Sequence, residues 1–239
     1  MSDEKRPLPI ALDALSYPFV RFGWWALTVL CAAGFLFLVA ISTGLDGHMR
    51  ISGRILFAAL ALVAVIIRCY FTIIEHTLTG WGKESWQSSS LDTDGLWSSL
   101  LSLLGLALIA WSPVLVLASV VEGSDEWPEV IHQALSAIGC EYFCMGTLAL
   151  VVFNNFSQVL PHCILPAIFK SGPAFMLAGA ALVLVPMAFE GAWDMLPDSM
   201  TAFLRGLLAS GPAAFFMIAH ARLIGLLYVA NRERIGWEG

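Results

Sequence analysis

Three charged side chains stand in apolar surroundings, where an ionised group needs a partner. Glu141 interrupts the apolar stretch SAIGCEYFCMGTLALVVF (136–153), and Glu190 and Arg205 lie in two later apolar stretches. An ionised side chain at the centre of a bilayer costs roughly 2.5–3.5 kcal/mol or more, so such groups usually face protein or water. We therefore predict that Glu141, Glu190 and Arg205 form an intramembrane polar cluster, built around an ion pair between Glu141 and Arg205.

The predicted cluster admits two interpretations. With a rise of about 1.5 Å per residue, Glu141 lies about 12 Å and Arg205 about 6 Å from the same membrane face, within side-chain reach. The pair is then either a structural contact that fixes helix packing or a proton or substrate site in a small transporter. The structural interpretation is favoured, because acidic and amide residues do not converge at mid-depth on three helices.

Three histidines are candidates for binding a haem. Histidine is a common axial ligand of haem iron, and a haem between helices takes two of them at similar depth. His220 lies within an apolar stretch, and His76 and His162 fall near the ends of two others. A haem- or quinone-associated subunit is therefore an alternative, although ordinary interfacial histidines explain the pattern more simply. No other metal site is predicted.

The remaining reactive residues do not form a catalytic motif. Cys140 and Cys144 are four residues apart, a spacing at which cysteines more often pack as small apolar side chains than bind metal. Ser210 lies about 15 Å from His220 along one helix axis, which is too far for proton transfer. The sequence lacks a Walker loop, a dinucleotide fingerprint and a zinc-protease motif. We predict no catalytic residue and do not expect an enzyme.

Composition indicates a membrane protein. Hydrophobic residues make up 59% of the chain, charged residues make up 13%, and the mean hydropathy is +0.80. That leaves too little polar surface to cover a soluble globule of 239 residues. The net charge of -6 and the scattered distribution of the 12 basic residues argue against nucleic acid as a partner.

Apolar stretches long enough to cross a bilayer, about 20 residues each, determine the fold class. Six are predicted, at about 23–42, 55–74, 97–121, 133–154, 174–193 and 201–228. We predict an all-α polytopic membrane helical bundle, with about six transmembrane helices and short interfacial helices. It divides into a cytoplasmic or interfacial N-terminal segment (1–22), a transmembrane domain (23–229) and a cytoplasmic tail (230–239).

Two further segments are predicted to be helical at the membrane interface. Leu12, Leu15, Phe19 and Phe22 are at helical spacing before the first span, which favours a short amphipathic helix along the membrane surface. The segment 157–173 is too short to span the bilayer and too apolar for a free loop. It is predicted to be an interfacial or a re-entrant helix.

Lysine and arginine are enriched in one set of loops, which predicts that both termini are cytoplasmic. Arg50 and Arg54, on the opposite side, are the exceptions. Six residues on the cytoplasmic side are predicted to contact lipid head groups or a partner protein: Arg68, Trp81, Trp86, Arg222, Arg232 and Arg234. Arg68 and Arg222 are expected to extend to the head groups without a protein partner.

Three stretches carry a family resemblance: ALDALSYPF before the first span, IIEHTLTGW after the second, and GLLYVANRERIGW at the tail. In these the chain resembles uncharacterised bacterial multi-pass membrane proteins that are grouped as domains of unknown function. The resemblance implies a six-span α-helical bundle in a bacterial inner membrane. It implies no activity and no catalytic residue.

The leading functional hypothesis is a non-catalytic membrane scaffold or accessory subunit of a larger assembly. The segments outside the spans are too small to hold an active site, and nine tryptophans favour interfacial anchoring and partner contact. The expected partners are membrane lipids and either other membrane subunits or further copies of the chain. A transporter that uses the polar cluster and a haem or quinone subunit are the alternatives, and bound lipid is the only small molecule expected.

Overall fold

The chain is helical in almost all of the residues that the computed structural model describes, which are 7–21, 23, 25–32, 34, 53–79, 93–120 and 129–237. The helices are α1 (Pro7–Val20), α2 (Gly53–Leu78), α3 (Thr93–Val120), α4 (Glu129–Phe153), α5 (Pro161–Ser171), α6 (Pro173–Met195) and α7 (Ala202–Ile235). A 3-10 turn, Phe156–Val159, lies between α4 and α5, and residues 25–32 are also helical. None of these residues lies in a β-strand, so the predicted all-α bundle is confirmed.

Five helices are long and apolar enough to cross a membrane, which indicates a multi-pass membrane protein. The candidate membrane spans are Leu56–Leu78, Gly95–Val116, Gln133–Phe153, Phe175–Met195 and Phe203–Ile235. They correspond to the second to sixth predicted spans, and their ends differ by at most five residues except at the last span, whose helix continues to Ile235, well past residue 228. The first predicted span, 23–42, lies largely outside the described residues, as do Trp81 and Trp86.

Burial is concentrated where the middle of α7 meets α2 and α4. The longest buried stretches are 69–74 of α2, 144–150 of α4, and 218–221 and 223–225 of α7. Towards the opposite end of the bundle, large apolar side chains are exposed, among them Phe57, Leu115, Ile138, Met187 and Leu208. Such a surface is stable only beside acyl chains or another protein, and the tightly packed end therefore holds the helices together.

The N-terminal helix does not lie across the end of the bundle. Asp13 contacts Arg222 and Phe19 contacts Phe215, and the indole of Trp25 donates to the carbonyl of Gly211. In each pair the two residue numbers add up to between 234 and 236, so α1 and the helical residues 25–32 run antiparallel to α7 in a nearly constant register. The expected surface-lying amphipathic helix is thus corrected, because polar and aromatic contacts align α1 with α7.

The segment after α4 turns back along the same helix. Asn154 has a left-handed φ of 47°, which reverses the chain. The carbonyl of Val159 then accepts a hydrogen bond from the hydroxyl of Tyr142, which lies eleven residues before the end of α4, or about 16 Å along its axis. Val159 and Ile164 are completely buried. Of the two alternatives for segment 157–173, this geometry matches the re-entrant one.

A single glycine connects α5 to α6. Gly172 has a φ of 67°, a conformation that favours glycine, and Pro173 follows it at the first position of α6. The guanidinium of Arg234 lies about 3.3 Å from where a Cβ on Gly172 would stand. The turn is therefore tight, and it places the start of α6 beside the end of α7.

Candidate functional site

The partners of Arg205 are residues close to it in the sequence. Its guanidinium donates to the carboxylate of Asp198 at 2.8 Å and to the carbonyl of Trp193 at 3.0 Å, and it lies 4.7 Å from the centre of the Trp193 ring. The predicted ion pair between Arg205 and Glu141 is therefore wrong. The physical reason is proximity, because Asp198 is in the short connection that leads directly into α7.

The other two members of the predicted cluster form no ion pair with Arg205. Glu190 is an exposed residue near the end of α6, and no ion pair in the described part of the chain involves it. Glu141 lies at the middle of α4 and likewise forms no ion pair with any described residue. The predicted cluster is not assembled.

Glu141 instead lines a cavity on the side of the bundle. The cavity has a volume of about 420 Å³ and lies between α4 and α6. Its walls include Ser136, Cys140 and Glu141 from α4 and Met176, Gly179 and Val183 from α6. We call it the α4/α6 groove.

Close helix contact forms the floor of the α4/α6 groove. A Cβ on Gly179 would lie 3.2 Å from Cγ of Glu141 and 3.3 Å from its backbone nitrogen. These distances are tighter than most Cβ contacts, so glycine lets the backbone of α6 approach the stem of the glutamate without displacing it. The half-buried carboxyl group is thus fixed at the boundary between two helices.

The polar centre of the bundle is a second site, built around His220. The hydroxyl of Tyr70 lies 2.8 Å from Nδ1 of His220, and Nε2 lies 3.0 Å from the carbonyl oxygen of Ala178. A carbonyl only accepts, so Nε2 carries the proton and Nδ1 accepts from Tyr70. Sγ of Cys144 lies 3.5 Å from Nε2. These four residues, from α2, α4, α6 and α7, are the His220 cluster.

The His220 cluster shows how the structure treats the predicted haem ligands. Both ring nitrogens of His220 are engaged by protein groups, so in this arrangement neither is free to ligate iron. His76 lies in the last turn of α2, and His162 is exposed at the start of α5. Among the residues that the structure describes, no three His, Cys, Asp or Glu side chains are grouped to hold a metal ion.

Sequence reasoning named His220 and Cys144 but missed Tyr70. The available signal was a tyrosine within an apolar span, because a buried hydroxyl takes a hydrogen-bond partner. Tyr70 and His220 are both almost completely buried, and their rings are stacked with centroids 5.9 Å apart. Each of the two side chains gives the other a hydrogen-bond partner, so both can be buried without an unsatisfied polar atom.

Two arginines expected to reach the head groups alone have protein partners. Nε of Arg222 contacts the Asp13 carboxylate at 3.0 Å and Nη1 contacts the Thr77 hydroxyl at 3.2 Å, while its guanidinium lies 5.0 Å from the centre of the Tyr17 ring. Burial raises the pKa of Tyr17, and the charge of Arg222 opposes that rise. Arg222 thus joins α1, α2 and α7.

Of the other three arginines predicted to contact head groups or a partner, one has a protein partner and two are exposed. Arg68 contacts Glu75, two turns further along α2, at 3.1 Å, and its Nε would lie 3.6 Å from a Cβ on Gly95 of α3. Arg232 and Arg234 are exposed in the last turn of α7, where a contact with lipid head groups or a partner stays a prediction.

The two sites differ in what they can do. The His220 cluster is closed, and its donors and acceptors satisfy one another. The α4/α6 groove is open to the side, and its carboxyl group has no ionic partner among the described residues. No family model, no curated protein and no solved structure matches this chain.

Proposed function

We propose that this protein is a non-catalytic integral membrane scaffold or accessory subunit of a larger membrane protein assembly. The observation that supports this proposal is that the Glu141 side chain lines a groove on the outside of the bundle. The polar centre of the bundle is satisfied internally, whereas the carboxyl group at the middle of α4 lines a groove on the outer surface. An ionisable group at such a depth marks a functional site by default, and this one lines a groove that is open to the side of the bundle, where a neighbouring protein would contact it.

The same geometry weighs against the transporter alternative. A coupled transport site near the midplane draws its polar groups from several helices into one cavity. Glu141 and Glu190 instead form no ion pair with Arg205, which is occupied by Asp198 and Trp193. We therefore favour assembly over transport.

The proposal includes a membrane setting. The enrichment of lysine and arginine in one set of loops supports cytoplasmic termini, and the resemblance to bacterial multi-pass proteins supports the inner membrane of a bacterium. Bound lipids cover the exposed apolar side chains wherever a protein partner does not.

Purification from native membranes in a mild detergent tests the function. We expect the chain to elute as a complex with a partner in fixed stoichiometry, and we expect the abundance of that partner to fall when the chain is deleted. A monomer without a stoichiometric partner would contradict the proposal. If reconstituted vesicles then showed a solute or proton flux that Glu141→Gln abolished, the transporter would replace it.

A further inference from the structure

We infer that the α4/α6 groove receives a transmembrane helix of a different protein, and that this helix presents a lysine or arginine to Glu141. The inference deepens the proposed function and rests on it. The groove is about 420 Å³ in volume, and the carboxyl group of Glu141 is the acidic member of its lining. The occupant should therefore carry a positive charge that complements the carboxylate of Glu141.

Depth excludes a lipid head group as the natural source of the cation. Glu141 is twelve residues from Glu129 and twelve from Phe153, the two ends of α4, so it lies about 18 Å along the axis from either end. The hydrocarbon core is about 30 Å thick, which places Glu141 near its middle. A basic residue in a transmembrane helix reaches this depth, whereas a head group stays at the surface.

The shape of the groove suits a helix. Ser136 and Cys140 are one turn apart on α4, and Gly179 and Ala180 lie opposite them on α6. Small residues allow helix backbones to approach closely in a membrane, where packing replaces the hydrophobic effect. Only 17% of the residues in the most apolar part of α6 are buried within the bundle, so α6 has an exposed surface that a neighbouring helix could cover.

The three arginines in the interior of the described spans do not supply the cation. Arg68, Arg205 and Arg222 are each paired with a carboxylate of the same chain. The predicted first span, 23–42, contains no lysine, arginine or histidine. Among the other described basic residues, Lys170, Arg232 and Arg234 lie in the last turns of α5 and α7 and Arg21 directly follows α1. A second copy would have to bring one of these end residues to the depth of Glu141 or break one of its own ion pairs, so a different protein is favoured.

Site-specific photo-crosslinking in native membranes tests the inference. A benzophenone amino acid replaces Ala180 in the groove, and Leu108, an exposed residue of α3, is the matched control position. We expect an adduct of one defined mass from position 180 and none from position 108. The crosslinked peptide should come from a transmembrane helix that carries a lysine or arginine near its middle.

A charge exchange then tests the role of Glu141. Truncating one member of a buried charge pair costs about 2–5 kcal/mol, so Glu141→Gln should reduce the association at least about thirtyfold. Glu141→Lys should abolish the adduct, and replacing the partner's basic residue by glutamate should restore it. Should Glu141→Lys fail to fold, Ser136→Leu blocks the groove without changing its charge, and Gly191→Ala, on an open part of α6, is its control.

The outcomes separate this inference from the proposed function. If a stoichiometric partner is found but crosslinks only from position 108, the chain is a subunit and the groove is not its docking site. Adducts with lipid alone, or with a second copy of the chain, would overturn the inference, as would an adduct that Glu141→Lys leaves unchanged. If no partner is found at any position, both proposals fail.

Discussion

The hydroxyl of Tyr70 lies 2.8 Å from Nδ1 of His220, across the contact between α2 and α7. The histidine donates from its other nitrogen to the carbonyl of Ala178 on α6. One imidazole ring therefore fixes the mutual position of three helices at the most buried level of the bundle. Because Tyr70 donates to Nδ1 and Nε2 donates to Ala178, the loss of either the tyrosine hydroxyl or the imidazole leaves a buried polar atom unsatisfied.

Tyr70→Phe should destabilise the protein without changing its helix content. Nδ1 of His220 would lose its donor, which costs about 1–3 kcal/mol in general, although hydrogen bonds between membrane helices usually couple more weakly, by about 0.6 kcal/mol. We expect a loss near 1 kcal/mol, measured as reversible unfolding in detergent. Tyr17→Phe is the control, because it keeps the ring beside Arg222. Equal effects at both positions would contradict the prediction.

A glycine contact between α2 and α7 gives a second prediction. A Cβ on Gly225 would lie 2.6 Å from both Cβ and Cγ2 of Thr77. The hydroxyl of Thr77 donates a hydrogen bond to the carbonyl of Ile73, which fixes the side chain. Thr77 is stiff and cannot move aside, so Gly225→Ala should separate the two helices and cost about 1–3 kcal/mol. Thermal unfolding measures the loss.

The matched control for that variant is Gly191→Ala on α6. Nothing lies within 4 Å of the position that a Cβ on Gly191 would take, so alanine there should be neutral or stabilising by up to about 1 kcal/mol through helix propensity. A stable Gly225→Ala variant would show that α2 and α7 are not in close contact at Thr77.

The third prediction concerns α1. Asp13→Ala removes the carboxylate that contacts Arg222, and because that carboxylate is half exposed, the pair contributes at most about 1 kcal/mol. We expect faster hydrogen exchange in residues 7–20 and an unchanged rate around His220. High salt should reproduce part of this effect, since exposed charges are screened. Ser16→Ala, on the same helix, is the control. Uniform acceleration in all helices would contradict a local anchor.

Hydropathy was enough to predict the spans, because the need for about 20 apolar residues depends on composition and not on packing. The match was closest at α4, where 133–154 was predicted and Gln133–Phe153 is found. The end of α7 was missed because its last two turns, with Arg232 and Arg234, are helical but polar. Where a helix continues beyond the bilayer, hydropathy carries no signal.

Side-chain partners were predicted less well, for a geometric reason. Depth along a helix is readable from the sequence, but the rotation of that helix about its axis is not. Glu141 and Arg205 were placed within reach by depth alone, yet Glu141 faces α6 and Arg205 contacts Asp198. Likewise, the link between Tyr70 and His220 depends on the way α2 and α7 face each other.

The last prediction separates the predicted ion pair of Arg205 from the observed one. Arg205 is 14% exposed but Asp198 is 98% exposed, so their ion pair should contribute little, at most about 1 kcal/mol. The contact of Arg205 with the Trp193 ring adds about 0.5–2 kcal/mol. Arg205→Ala should therefore cost more stability than Asp198→Ala.

A double-mutant cycle should give measurable coupling between Arg205 and Trp193, and coupling below about 0.5 kcal/mol between Arg205 and Glu141, because residues that are not in contact have additive effects. Rescue of Arg205→Glu by Glu141→Arg would contradict this, since the two charges would then have to meet inside the bundle.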